Sequence, residues 1–191
     1  MELINFISVY DNILPEKVIN KLLKICKNID WDDALIGEDK EGKGVLDANI
    51  RKTKMYLLQD IDNSMTNVHW YNVMFKTFSH NLQNYVTNNK IKNIPHKGLD
   101  SIQILKYNKT DHYTWHVDAG PNNNRVLSCV YFLNENYEGG ELCFKNPDGT
   151  GEFAIPKKKN RMVVWPSSFL YPHTVKPIKS GEKYSIVSWT Q

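Results

Sequence analysis

His116, Val117 and Asp118, with His173 far downstream and Lys183 ten residues beyond that, are the side chains best equipped for chemistry in this chain. Two neutral imidazoles and one carboxylate, gathered on one side of an octahedral ion such as Fe(II), leave the opposite positions free for a bidentate ligand and for O2. A redox-inert zinc centre more often uses cysteine or a third histidine. A lysine beyond the metal would neutralise an acidic co-substrate, because a carboxylate buried without a partner is costly. Each residue alone has a plainer explanation: His116 as a core histidine, Asp118 as a turn carboxylate, His173 as a surface residue after Pro172, Lys183 as a solvated lysine after the Ser180-Gly181 turn. It is the set that argues for a metal.

These residues must be carried to one place by the elements around them. Residues 113–118 alternate as a strand and Ala119-Gly120-Pro121 ends it, so His116 and Asp118, two apart, point to the same side. His173 opens another strand after a loop, and a jelly roll can lay that strand beside the first. From Asp100 onward the chain reads as short β-rich runs divided by turn residues: 101–107, 113–117, 125–133, 141–145, 161–165, 174–177 and 183–189. This spacing predicts a mainly β sandwich or jelly roll rather than a parallel sheet. Ahead of it, the period of Val18, Leu22, Ile25 and Cys26 predicts a helix from Pro15 to about Lys27. A longer helix is expected from Asn63 or Ser64 to about Asn88, with Ser64 as its cap and a sheet beneath it. Residues 36–48, rich in glycine and charge, read as a mobile loop and a candidate lid.

Other polar features carry less. His112 lies four residues before His116, but no helix is expected there and the glutamate of a zinc-hydrolase motif is missing. His69 and His80 fall three turns apart on one helix, and His96 reads as loop. Lys157, Lys158 and Lys159 are best explained as a solvated turn, although they could touch a phosphate. The chain has 191 residues with 41% hydrophobic and 12% aromatic content, enough for one domain over 1–191, with helical support in 1–99 and a β core in 100–191. Its net charge of +3 is too slight to demand a polyanionic partner. Cys26, Cys129 and Cys143 form no paired motif, which suits a reducing compartment. No basic leader and no run of ~20 apolar residues is found, so a soluble, cytoplasmic protein without membrane partners is expected.

From residue 100 to about 190 the chain resembles the Fe(II)- and 2-oxoglutarate-dependent oxygenases, most closely their prolyl 4-hydroxylase-like branch. The resemblance rests on Gln103-Ile104-Leu105-Lys106-Tyr107 leading to His116-Val117-Asp118, then Val130-Tyr131-Phe132-Leu133-Asn134 and Gly139-Gly140-Glu141-Leu142. It continues with His173-Thr174-Val175-Lys176-Pro177 and Gly181-Glu182-Lys183-Tyr184-Ser185 to Trp189. It implies a double-stranded β-helix with helices on the outer face of its larger sheet. It also implies Fe(II) on His116, Asp118 and His173, and Lys183 on the distal carboxylate of 2-oxoglutarate. Tyr131 is expected on that same carboxylate, Tyr107 in the co-substrate pocket, Ser185 beside Lys183, Trp189 as an aromatic wall and Arg51 on the substrate side.

The stretch 108–112 lacks the glycine usual before the motif, which leaves substrate choice open. The implied reaction hydroxylates a C–H bond, preferentially of a prolyl residue in a protein or peptide, while O2 and 2-oxoglutarate yield succinate, with ascorbate a candidate reductant. Another amino-acid side chain or a small molecule would use the same core. Nucleic-acid demethylases also carry His-x-Asp and a distal His, but they typically follow it with paired arginines, and no arginine follows Arg161 here. From another class, a jelly-roll module that binds a glycan or peptide without turnover remains a rival.

Overall fold

Strand β1 (Ser8–Asp11) precedes helix α1 (Glu16–Cys26), which starts after Pro15 and buries Ile19, Leu22 and Cys26 along one stripe. Residues 2–38, 44–59, 64–92, 98–121, 123–146 and 148–191 are those described by the structure, a computed structural model. After α1 come five short strands: β2 (Asp32–Asp33), β3 (Ile36–Glu38), β4 (Gly44–Val45), β5 (Arg51–Lys52) and β6 (Lys54–Leu58). Helix α2 (Met65–Asn88) follows, and the Ser64 Oγ accepts the Asn67 N–H at 3.3 Å, the cap expected of a serine at that position. Its buried face, Trp70, Met74, Phe78, Leu82 and Tyr85, repeats every three or four residues.

The rest of the chain is strands. They are β7 (Ile102–Tyr107), β8 (His112–His116), β9 (Leu127–Phe132), β10 (Tyr137–Gly139) and β11 (Leu142–Lys145). Then follow β12 (Glu152–Ile155), β13 (Arg161–Pro166), β14 (His173–Val175), β15 (Ile178–Gly181) and β16 (Lys183–Thr190). All seven predicted runs are strands, with ends moved by one or two residues. A larger sheet runs β1-β13-β9-β16-β7-β6-β2 and a smaller one β12-β11-β14-β8-β5, with every pairing antiparallel. The fold is the double-stranded β-helix.

Alternation along the strands of the larger sheet divides the interior in two. Leu127, Cys129 and Tyr131 of β9, Met162 and Val164 of β13, and Ile186 of β16 share one hydrophobic cluster with the buried faces of both helices. Burying each large apolar side chain there contributes roughly 1.5–3 kcal/mol. Val130 and Phe132 of β9, with Val163 and Trp165 of β13, face the other way, toward the smaller sheet. The space between the sheets is where the polar residues gather.

Two expectations change at this level. The first 99 residues are more than helical support, because β1, β2 and β6 extend the larger sheet and β5 closes the edge of the smaller one. These strands were hidden because they run for only two to five residues, too short to show a period. Within 36–48, β3 and β4 pair as an antiparallel hairpin stem instead of forming a loop throughout. Residues 39–43 of that segment lie outside the described residues, as do Asn63, His96 and Asn122.

Candidate active site

β8 and β14 pair so that His116 stands directly opposite His173, and Asp118 follows two residues beyond the end of β8. The turn after it is fixed by the Ala119 N–H donating to the Ser167 carbonyl at 2.9 Å. The His173 and His116 Nε2 atoms lie 3.4 and 3.9 Å from the carboxylate oxygens of Asp118. One ligand atom from each residue falls within 4.8 Å of the others, the only such group among the described residues.

The orientation of the rings follows from their other nitrogens. His116 Nδ1 is 2.8 Å from the Thr114 carbonyl and His173 Nδ1 is 3.0 Å from that of Tyr171. A carbonyl can only accept, so each Nδ1 carries a proton and each Nε2 turns toward Asp118. Asp118 is aimed by the Ser128 hydroxyl, which donates to it at 2.7 Å and itself meets Ser167 Oγ at 2.7 Å. Burial pushes the carboxyl pKa up, but His173, His116 and the Ser128 hydrogen bond outweigh it and hold it below its usual range. Burial, reinforced by the charge of His173, pushes His116 down to about 3, so its imidazole stays neutral. Two imidazoles whose Nε2 atoms face one carboxylate form a donor set that fits a divalent metal.

The triad opens into a cavity of about 370 Å³ between the sheets. β16 contributes Lys183, Ser185, Val187 and Trp189, alternate residues on one face. Lys183 is 2% exposed, and its ammonium donates to the Gly140 carbonyl at 2.9 Å and lies over the rings of Tyr107 and Phe132 at 5.3 and 5.4 Å. Among the described residues no carboxylate pairs with it, and burial pushes its pKa down to about 7. The turn that presents that carbonyl needs glycine twice: Gly139 and Gly140 have φ of +74° and +66°, and a Cβ on Gly140 would overlap Ile178 Cδ1. A buried ammonium at one end and a metal triad at the other suit a short dianion that chelates with its far end.

Of the residues singled out from the sequence, His116, Asp118, His173, Lys183, Tyr107, Ser185, Trp189 and Arg51 line this one cavity. Tyr131 does not. Its hydroxyl donates to Asn160 Oδ1 at 2.8 Å on the helix side of the sheet, and its ring belongs to the core there. The neighbour, Phe132, takes the inward position, because it is the residue of β9 that pairs with inward-facing Ser185. The expected Tyr131 contact with the co-substrate is therefore corrected to an apolar wall at Phe132.

Several lining residues were missed. Tyr113 stacks on His116 with centroids 3.5 Å apart, Trp165 meets His173 edge to face at 5.0 Å, and Arg125 lies over Trp189 at 3.7 Å. A β-bulge in the β8–β14 pairing turns Tyr113 inward with His116, against simple alternation, and a bulge leaves no mark in the sequence. Elsewhere, Lys157 bonds the Tyr137 carbonyl while Lys158 and Lys159 pair with Asp11 and Glu16, so these lysines are tied down within the protein. In the 108–112 stretch, Asp111 closes a turn by accepting from the Asn108 N–H at 2.8 Å.

Residues 102–191 match the model of the 2OG-Fe(II) oxygenase superfamily. A PKHD-type hydroxylase of Synechococcus sp. (strain CC9902) is 38% identical over 95 residues, which are 48% of this chain and 41% of that protein. The chain thus spans less than half of that relative's length. Among solved structures, a Pseudomonas putida prolyl-4-hydroxylase superposes with a TM-score of 0.73 at 20% identity, covering 97% of this chain and 91% of that one. A prolyl hydroxylase from Trichoplax adhaerens, in complex with a hypoxia inducible factor peptide fragment, gives 0.74 at 19% identity, covering 97% and 83%.

Proposed function

We propose that the chain is a 2OG-Fe(II) oxygenase that hydroxylates a prolyl residue in a protein or peptide, a reading supported by the match of residues 102–191 to that superfamily's model and by a fold like that of a prolyl-4-hydroxylase. The observation that carries this reading is one cavity with a His-Asp-His triad at one end and, at the other, a buried ammonium that no carboxylate among the described residues pairs. Bound at the triad, Fe(II) would supply oxygen activation coupled to the conversion of 2-oxoglutarate to succinate and CO2.

The chain's own residues do the positioning. His116, His173 and Asp118 present Nε2, Nε2 and a carboxylate oxygen on one side of the metal site and leave its other side to the cavity. Lys183 neutralises the distal carboxylate of 2-oxoglutarate, with Ser185 and Tyr107 as neutral donors beside it. Burial pushes Tyr107 up to about 12, which keeps its hydroxyl protonated and able to donate. Phe132, Val187 and Trp189 keep this part of the cavity apolar, which strengthens the charge pairing at Lys183.

Arg51 and Tyr113 mark the substrate side. The β3–β4 hairpin, with Leu35, Ile36 and Gly37 on the cavity lining, acts as a lid over the peptide. Its removal lowers peptide affinity and leaves 2-oxoglutarate affinity intact; equal loss of both rejects the lid. A cytoplasmic, soluble enzyme acting as one domain, with ascorbate as reductant, completes the proposal. Among the described residues no helix is long and apolar enough to cross a membrane.

Succinate formation measured with and without Fe(II), 2-oxoglutarate and proline-containing peptides tests the whole. Peptide products should gain the mass of one oxygen, about 16 Da. Peptide binding without succinate release under any condition would instead favour a binding module.

A further inference from the structure

Resting on that reading, we propose that Arg51 selects substrates bearing an Asp or Glu side chain one or two residues from the hydroxylated position. The argument starts from the charges that line the cavity. Asp118 is committed to the metal site with the two histidines, and Lys183 lies at the buried end, against Gly140. Arg125 already has an anion, because its Nη2 lies 3.3 Å from Asp100 Oδ2 while its plane covers Trp189. Arg51 has none. Its Nη1 donates to the Leu35 carbonyl at 3.1 Å, and its Nε is buried with no hydrogen-bond partner. Among the described residues it is the cation at the substrate side of the cavity that no carboxylate answers.

Position then sets what can answer it. Arg51 pairs with Tyr113 across β5 and β8, and its guanidinium lies over the Tyr113 ring, 4.9 Å from the centroid. The other side of that chain of contacts is His116, stacked on the same tyrosine. The guanidinium is therefore two stacking steps from the metal ligand. An extended peptide advances about 3.3–3.6 Å per residue, so a target residue at the metal brings the side chain of its first or second neighbour to this point.

The ring of Tyr113 and the Leu35 carbonyl hold the guanidinium fork in place before any ligand arrives. Little entropy is then lost when a carboxylate takes two of its donors. A peptide backbone carbonyl would also accept from Arg51, but it would leave the charge unanswered and would give no preference between Asp and Asn.

Fluorescein-labelled peptides centred on one proline, with Asp, Asn or Lys at each of the two positions on either side, provide the test. Affinity is read by anisotropy with the chain loaded with Mn(II) and 2-oxoglutarate, and turnover is read separately with Fe(II). The best Asp peptide should bind about tenfold tighter than its Asn counterpart. Arg51→Gln should erase that ratio, Arg51→Glu should shift preference to Lys, and Arg51→Lys should retain part of it, each variant being checked by thermal melting.

Equal affinity for Asp and Asn at all four positions, a preference that survives Arg51→Gln, or no measurable binding of any peptide would overturn the inference. A preference without hydroxylated product keeps the recognition site and removes the hydroxylase reading. Product without preference does the reverse.

Discussion

The two ends of the cavity are built differently. Lys183 sits in β16, a strand of eight residues paired on both sides, by β9 and by β7. Arg51 sits in β5, a strand of two residues at the edge of the smaller sheet, next to the β3–β4 hairpin. The charge that would hold a co-substrate common to many reactions is thus locked into the centre of the fold. The charge we assign to substrate choice is hung on a margin, where length and sequence can change without disturbing the sheets.

The largest effect should come from the metal end. Asp118→Ala removes the anion shared by both histidines, and binding of Mn(II) or Co(II), followed spectroscopically, should weaken by more than about 100-fold, with turnover lost. Ser128→Ala leaves the carboxylate but not its aim, so a smaller loss of about 10- to 100-fold is expected. Near-normal metal binding in Asp118→Ala would remove the triad from the argument.

At the buried end, Lys183→Met should weaken 2-oxoglutarate binding by about 30-fold or more in calorimetry, since it leaves a buried carboxylate unpaired. The same change should raise the melting temperature of the ligand-free protein, because the folded state no longer buries a cation that has no carboxylate partner among the described residues. An unchanged affinity would mean that the dianion lies elsewhere.

The same lysine predicts a pH dependence whose sign is fixed by burial. Its folded pKa, about 7, lies below the ordinary value of 10.5, so the folded ligand-free chain binds fewer protons than the unfolded one between those limits. From this group alone, stability of the ligand-free protein therefore rises with pH across that window. Affinity for 2-oxoglutarate runs the opposite way and falls above about pH 7, because the ammonium form must then be regenerated on binding. Calorimetry in buffers of different ionisation enthalpy should show proton uptake at pH 8 and almost none at pH 6.

The smallest effect distinguishes the faces of β9. Tyr131→Phe should cost about 1 kcal/mol of stability through the lost bond to Asn160 and leave 2-oxoglutarate affinity within about twofold. A tenfold loss of affinity would return Tyr131 to the pocket.

Legibility followed the same division. The triad and Lys183 could be read because strand alternation and the order of the motifs constrain them together, and the long strands of the core fell where short β-rich runs ended in turns. Tyr131 and Phe132 could not be separated, since β9 is buried on both faces and every residue of it is of a type that suits either. Tyr113 escaped because a bulge reverses its face, and Arg125 because nothing in an isolated arginine tells which ring it will cover. Strands of two residues such as β5 are specified by the partners they meet, not by their own composition.

One face of β16 carries an ammonium, a hydroxyl, an isopropyl group and an indole at alternate positions from Lys183 to Trp189. With about 3.4 Å of rise per residue, the strand is a ruler graduated in steps of about 7 Å. Moving the positive charge from Lys183 to Ser185 would displace it by one graduation, more than the whole length of a five-carbon diacid, so the swap should abolish co-substrate binding instead of tuning it.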